Sequence, residues 1–586
     1  MNEYLSIFIL LFVPGFPLLL AVSLMSGVMN RTALLFAPWA ALPALFMALF
    51  PVPDIITKLP WLLLGSYLGF DEIARVFLLF TALVWLAAGV YSIGYFKEPS
   101  ARSHFFSWFL IAMSGNFGLI LAQDMLIFYS FFALMSFSSY GLIIYERTLP
   151  AMRAGRVYIV MVIVGEIVLF AAFVLAALSA GSLEFESVRT TMAGSAWQEW
   201  IIALVLLGYG IKAGVIGLHI WLPLAHPAAP TPASSVLSGT MISVGLLGWL
   251  RILPLGEVTL SGWGELMIAI GTVSVFYAVL IGLMQSNPKT VLAYSSISKM
   301  GIMTIGVGLG LVVPDNWPLI LTAVLFYALH HGLAKGALFL GTGIAINPPA
   351  SRGKRIFLIT GLLLLALSLV GAPLTGGMIA KNLLTVQVIS AAYNWNGWLQ
   401  IILLGSSVAS SILMVHFLSL VWPQQEAVLE EQTTPVSMWL SWIFLLVLVV
   451  MSPFILWLDL HYIWTTKALI NAIFPIALGG CLAACIWLNT KYQWLSYSFS
   501  YLQGDLLLVV ENGFYSIVKS SQLFALKTLP KWQIFFLVGY NRLLDYSRSC
   551  SLVDRAEKQL GYWRVGITLF LLLGIAIAFI SALSWK

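Results

Sequence analysis

Eight ionisable side chains sit in stretches that are otherwise apolar: Lys212, His219, Lys299, His330, His331, Lys335, Lys381 and Glu166. An ionisable group at membrane depth costs about 2.5–3.5 kcal/mol on insertion scales, so a chain that keeps eight of them is expected to use them. Burial makes a lysine a weaker base and its neighbours tune it, so a buried lysine can load and release a proton. Histidine titrates near neutrality and can pass a proton between its two nitrogens. Lysine and histidine in succession therefore read as a proton relay, whereas a selective metal-cation site would want carboxylates and carbonyls. At helical spacing Lys212 and His219, seven apart, should share one face, and His331 and Lys335, four apart, another. A lysine near a helix end can instead snorkel to the interface, and Lys289 is expected to do so. For Lys299, Lys335 and Lys381, apolar residues on both sides make snorkelling harder, while Glu166 and His330 also fit satisfied core groups. Glu166 is the only acidic side chain near the middle of its neighbouring spans and is the expected partner of Lys212. Lys299 lies about 15 Å inside its span, at 1.5 Å per residue from Lys289. That depth is near the bilayer midplane, with His331 and Lys335 as its expected neighbours.

The elements that must position these groups are membrane helices. Of 586 residues, 61% are hydrophobic and 9% charged, against roughly 25% charged in soluble domains. Apolar runs of spanning length recur about sixteen times, and the stretch from Leu5 is read as the first of them rather than a removed leader. Arg31, then Lys97 and Arg102, then Arg147, Arg153 and Arg156, then Lys289, then Arg352, Lys354 and Arg355 all follow odd-numbered spans. That alternation obeys the positive-inside rule and places both termini outside a bacterial-type inner (plasma) membrane. The net charge of +6 is thus assigned to one membrane side, not to nucleic acid. Three cysteines are too few for an iron–sulfur or disulfide framework, and Cys481 and Cys485 are expected to be small core residues. No phosphate loop, metal cluster or other cofactor site is evident, so no cofactor and no metal is expected.

Two spans carry interruptions beside a lysine: Lys212 to Pro223, and Gly371 to Lys381 with Pro373, Gly376 and Gly377 between. Backbone freed at membrane depth must line a cavity or be buried in protein, and paired broken helices point to an inverted repeat with the ion path between its halves. The expected fold is all-α. Helices in 1–102 come first, with repeat halves at 103–253 and 264–422 and further spans at 436–489. An amphipathic lateral segment at 490–562 and a final span at 563–586 complete the chain.

Three runs then become recognisable: His219-Ile-Trp-Leu-Pro-Leu-Ala-His226-Pro-Ala-Ala-Pro-Thr, Lys289-Thr-Val-Leu-Ala-Tyr-Ser-Ser-Ile-Ser, and His331-Gly-Leu-Ala-Lys335-Gly-Ala-Leu-Phe-Leu. Over roughly residues 60 to 420 the chain resembles the antiporter-like, proton-translocating subunits of respiratory complex I, membrane-bound hydrogenases and multisubunit sodium/proton antiporters. The tail is similar to the lateral helix of the largest such complex I subunit. The resemblance implies that Lys212 is the lysine of the first broken helix, Lys335 the one after the family histidine, and Lys381 the one of the second broken helix. Departures accompany it. Ala133 stands where the family has the glutamate that pairs with the first lysine, and Ser243 where it usually has a central lysine or histidine. Leu224 replaces an aspartate, and Lys299 replaces glutamine or histidine.

The function expected on these grounds is proton translocation within a multisubunit membrane complex, with sodium or potassium as further candidate cargo. The chain has no redox or catalytic site of its own, so driving energy would come from partner membrane subunits. Two rival expectations are a self-sufficient cation/proton antiporter and a non-conducting docking subunit.

Overall fold

The computed structural model describes residues 3–27, 29–50, 54–63, 65–346, 348–349, 351–390, 396–422, 434–455 and 465–492. All the described helices belong to one compact unit within residues 1–58 and 67–501. The lateral segment expected from residue 490, beyond its first three residues, and the span expected at 563–586 lie outside the described residues.

The chain begins with α1 (Glu3–Ser26), α2 (Asn30–Phe36) and α3 (Leu42–Leu49), then a hairpin of β1 (Ile55–Leu59) and β2 (Ser66–Phe70). Next come α4 (Glu72–Tyr95), α5 (Pro99–Leu121), α6 (Met125–Ile143), α7 (Leu149–Ala180) and the short α8 (Phe185–Met192). α9 (Gln198–Ala213) and α10 (Trp221–Ala228) precede α11 (Thr231–Val236) and α12 (Ser243–Ile252), which a π-helical turn at Leu237–Met241 joins. Then follow α13 (Ser261–Gly282), α14 (Pro288–Val312), α15 (Trp317–Ile346), α16 (Arg352–Val370) and α17 (Gly376–Ser390). The last described helices are α18 (Asn396–Val421), α19 (Val436–Ile455) and α20 (Thr466–Tyr492).

Helix is the form that satisfies every backbone group within one apolar segment, and side-chain caps set where several helices begin. Asp71 accepts from Ala74 N at the start of α4, Asp124 from Leu126 N and Ile127 N at α6, and Asn287 from Lys289 N and Thr290 N at α14. Such caps are each worth about 1 kcal/mol. Among the described residues 14 helical stretches are long and apolar enough to cross a membrane. Of the sixteen expected, the span from Trp200 is missing because it is broken into α9 and α10, and the span from Trp563 is not described.

Five crossings (α5, α6, α7, α9–α10, α11–α12) are followed by five more (α13, α14, α15, α16–α17, α18), and the fourth of each series is the broken one. Five is odd, so the second series enters from the opposite face and the two are inverted. Each break follows a left-handed glycine, Gly214 (φ 67°) and Gly371 (φ 95°), whose N–H returns to the closing turn in the manner of a Schellman cap. The first break has its freed backbone satisfied from outside the helix. The Trp221 indole donates to the Ile211 carbonyl at 2.8 Å, and the Ser274 hydroxyl accepts from Ile216 N at 3.0 Å.

Two expectations are corrected here. Lys212 and His219 do not share a helix face, because α9 ends at Ala213 and His219 falls in the break. Cys481 and Cys485 are exposed on α20 rather than in a core.

At the end of the first repeat, buried Arg251 holds Asp71 through two guanidinium bonds and also donates to the Ile120 carbonyl at 3.3 Å. Burial alone would raise the Asp71 carboxyl. The charge of Arg251, with hydrogen bonds from Arg251, Ala74 N and Gln123, instead holds it down to about 2. This clamp ties α12 to the start of α4.

Candidate proton path

In the first repeat, α7 and α9 approach closely because neither partner has a side chain at the crossing. A Cβ on Gly208 would meet Leu169 Cγ at 2.5 Å and the Gly165 carbonyl at 3.3 Å. Glu166 follows Gly165 directly, and Lys212 lies one turn beyond Gly208, so the glycine crossing brings the acid and the base to the same level. Both are buried, at 6% and 3% exposure. The Lys212 ammonium lies 5.8 Å from each of the ring centroids of Phe132, Tyr158 and Trp221, within cation–π range. Neither Lys212 Nζ nor Glu166 Oε1 has a hydrogen-bond partner, yet each lies in the other's field. Glu166 is therefore an electrostatic neighbour of Lys212, not hydrogen-bonded to it through Oε1. Phe132, one wall of the cage, directly precedes Ala133, where the resemblance implies a glutamate.

In the second repeat, α15 carries His330, His331 and Lys335, all buried. Lys335 Nζ donates to the Leu292 carbonyl of α14 at 2.9 Å, and His330 Nε2 lies 2.8 Å from Ser368 Oγ of α16. His331 has no hydrogen-bond partner at either ring nitrogen. Lys299 borders a cavity that Tyr327, Lys381, Ser406 and Ser407 also line, with room for about one water. A Cβ on Gly377, at the start of α17, would overlap the Ser368 carbonyl oxygen and sit 3.1 Å from the His330 ring. Glycine there lets the two limbs of the second break close around His330. Lys299 lies in the field of Lys381, and its own charge reaches His330, His331 and Lys335, so the expected neighbourhood of Lys299 gains Lys381.

The last crossing of the first repeat, α11–α12, packs against α14 and α15 of the second. Ser243, buried in the central position, has no partner for its hydroxyl, while Ser238 and Ser296 join α14 to the π-helical turn at 2.8 Å. His219 packs edge-on to the rings of Tyr277 and Tyr294, at 5.5 and 6.3 Å.

The structure also corrects one placement and adds a residue. Lys289 does not snorkel: it is 7% exposed, and its ammonium donates inward to the Ala229 carbonyl at 2.9 Å. The same carbonyl, at the end of α10, also accepts from Ser234 Oγ of α11 at 3.2 Å. His226, outside the expected relay set, is fully buried with both ring nitrogens unpartnered. Its only signal in the sequence is a histidine between two prolines in the run from His219.

Residues 122–412 match the NADH:quinone oxidoreductase/Mrp antiporter transmembrane family. Over that stretch the chain is a member of this family. Hydrogenase-4 component B of Escherichia coli is 33% identical over 294 residues, covering 48% of this chain and 43% of that protein. A Na(+)/H(+) antiporter subunit of Bacillus subtilis is 30% identical over 330 residues, covering 54% of this chain and 66% of that one. The chain thus spans less than half the length of the first relative and about two thirds of the second. Its fold is similar to a chain in the structure of the Mrp complex from Dietzia sp., with a TM-score of 0.74, 18% identity, and coverage of 94% of this chain and 63% of that chain. The protein is a polytopic membrane member of this family.

Proposed function

We propose that the chain is a proton-translocating membrane subunit of a larger assembly in a bacterial plasma membrane, with other membrane subunits as its partners. The observation that carries this reading is the buried file in the second repeat. Buried Lys335, His331, Lys299 and His330 and half-buried Lys381 come from three helices, with a water-sized cavity between the last two lysines. Each is a proton carrier, and no buried carboxylate accompanies them: Glu265 and Asp315, the acidic residues of the second repeat, are both exposed. A file of lysines and histidines repels metal cations and offers them no oxygen cage, so the proton is the cargo. Any sodium or potassium movement belongs elsewhere in the assembly. In the first repeat, Glu166 takes the part of the carboxylate absent at Ala133 and tunes Lys212 through space. The amphipathic segment expected at 490–562, which beyond 492 lies outside the described residues, docks against partner subunits.

The test is Lys381→Gln in proteoliposomes holding the full chain with the subunits that purify with it. Loss of proton flux with unchanged assembly is expected. Flux at the normal rate would reject the relay.

A further inference from the structure

His226 is the buried titratable group that the path described so far leaves idle, and three helices converge on it. It sits in the last turn of α10, with 0% exposure and no hydrogen-bond partner at Nδ1 or Nε2. An unpartnered buried imidazole forfeits about 1–3 kcal/mol of polar interaction, a cost that a merely space-filling residue would not carry. The ring stacks on Phe339 of α15, at 4.7 Å between centroids and 29° between planes. Phe339 is one turn beyond Lys335 on the same face of α15, so the stack sets the imidazole beside that lysine. On the other side, the Lys289 ammonium of α14 holds the Ala229 carbonyl, three residues past His226. The same helix supplies the Leu292 carbonyl that holds Lys335. Ser234 Oγ donates to the His226 carbonyl at 2.9 Å, which fixes the backbone while leaving the ring nitrogens unengaged. The imidazole is in the field of both ammonium groups, and Lys289 in turn is in the field of exposed Glu146 at the membrane face.

We infer that Lys289, His226 and Lys335 form the inlet through which protons from the face bearing Glu146 reach the buried file. This deepens the proposed function and rests on it. A protonated Lys289 gives a proton to one imidazole nitrogen, and the other nitrogen gives its proton to a neutral Lys335. His226 is thereby left neutral with its N–H transferred between nitrogens, Lys289 has lost one proton and Lys335 has gained one. The flanking ammonium groups make a standing imidazolium costly, so His226 is a transfer station and not a store. A tautomeric ring must then turn or be reset before the next cycle, and ring nitrogens free of hydrogen bonds permit that. Phe339 supplies an apolar face on which the ring can move.

The experiment measures proton flux under an imposed potassium diffusion potential, in proteoliposomes of the full chain with its co-purifying subunits. His226→Phe keeps the stack on Phe339 and removes both nitrogens. It is expected to slow flux at least tenfold with unchanged assembly and melting temperature. Adding Lys289→Gln should cost little more, since both act in one route. His226→Ala should recover flux with millimolar imidazole but not with thiazole, which fits the same space and is a far weaker base. That pair of ligands decides the matter if His226→Phe folds poorly. Normal flux in His226→Phe, or equal recovery by thiazole, while Lys381→Gln is inactive, overturns the inlet and leaves the proposed function standing. Normal flux in both His226→Phe and Lys381→Gln overturns the proposed function and the inlet with it.

Discussion

The two repeats solve the problem of a buried base differently. In the first, Lys212 faces three aromatic rings and the field of one carboxylate, Glu166. In the second, Lys335, Lys299 and Lys381 have histidines, hydroxyls and backbone carbonyls about them, and the acidic residues lie at the surface. A lysine beside an acid and under aromatic faces can stay charged while it waits. A lysine among other bases can hold its proton only while its neighbours are neutral, so occupancy must alternate along the file. Under the proposed function, the first repeat would store charge and the second pass it on.

The largest effect should come from breaking the second repeat. Lys335→Gln removes a carrier that no neighbouring acid backs up, and proton flux in proteoliposomes should fall about 100-fold, near 2.7 kcal/mol at 1.36 kcal/mol per decade. Less severe is Lys299→Gln, with an expected loss of about 30-fold, or 2 kcal/mol. Adding Ser243→Lys should restore most of that flux, since it returns a titratable group to the central crossing. A double variant as slow as the single one would show that Ser243 lies off the path. Glu166→Gln is milder again. The aromatic cage remains, cation–π contacts being worth about 0.5–2 kcal/mol, so flux should drop by about tenfold. A loss equal to that of Lys335→Gln would erase the contrast between the repeats. Smallest is Trp221→Phe, which keeps one cage wall but leaves the Ile211 carbonyl without its donor. Thermal unfolding in detergent should report about 1 kcal/mol of destabilisation, with flux reduced only a few-fold.

Much of this arrangement is legible in the residues themselves. Apolar runs mark the spans because the bilayer demands a set length, and charges within those runs mark the candidate path because each is costly. Gly371, Gly376 and Gly377 betray the second break by their spacing, and Gly214 with Pro223 the first. What the sequence hides is convergence. Helical periodicity placed Lys212 and His219 on one face because it assumed a continuous helix, and the left-handed Gly214 removes that assumption. Lys289 looked like an interfacial lysine because its position along α14 is terminal, but the end of α10 covers it and supplies a carbonyl. The cage around Lys212 draws Phe132, Tyr158 and Trp221 from three different helices, and no local pattern joins them. The π-helical turn at Leu237–Met241 likewise has no local marker of its own, since Ser238-Gly239-Thr240 is compatible with ordinary helix.

Trp221 carries a further consequence. Its indole nitrogen braces the joint between α9 and α10, and its ring lies 5.8 Å from the Lys212 ammonium. Indole emission responds to a point charge held near the ring, so the brace is also a chromophore reading the lysine's charge. The other 21 of the 22 tryptophans contribute a background that a Trp221→Phe difference spectrum subtracts. Proton loading at Lys212 should then be visible as an optical transient on the timescale of turnover, with no label attached to the protein.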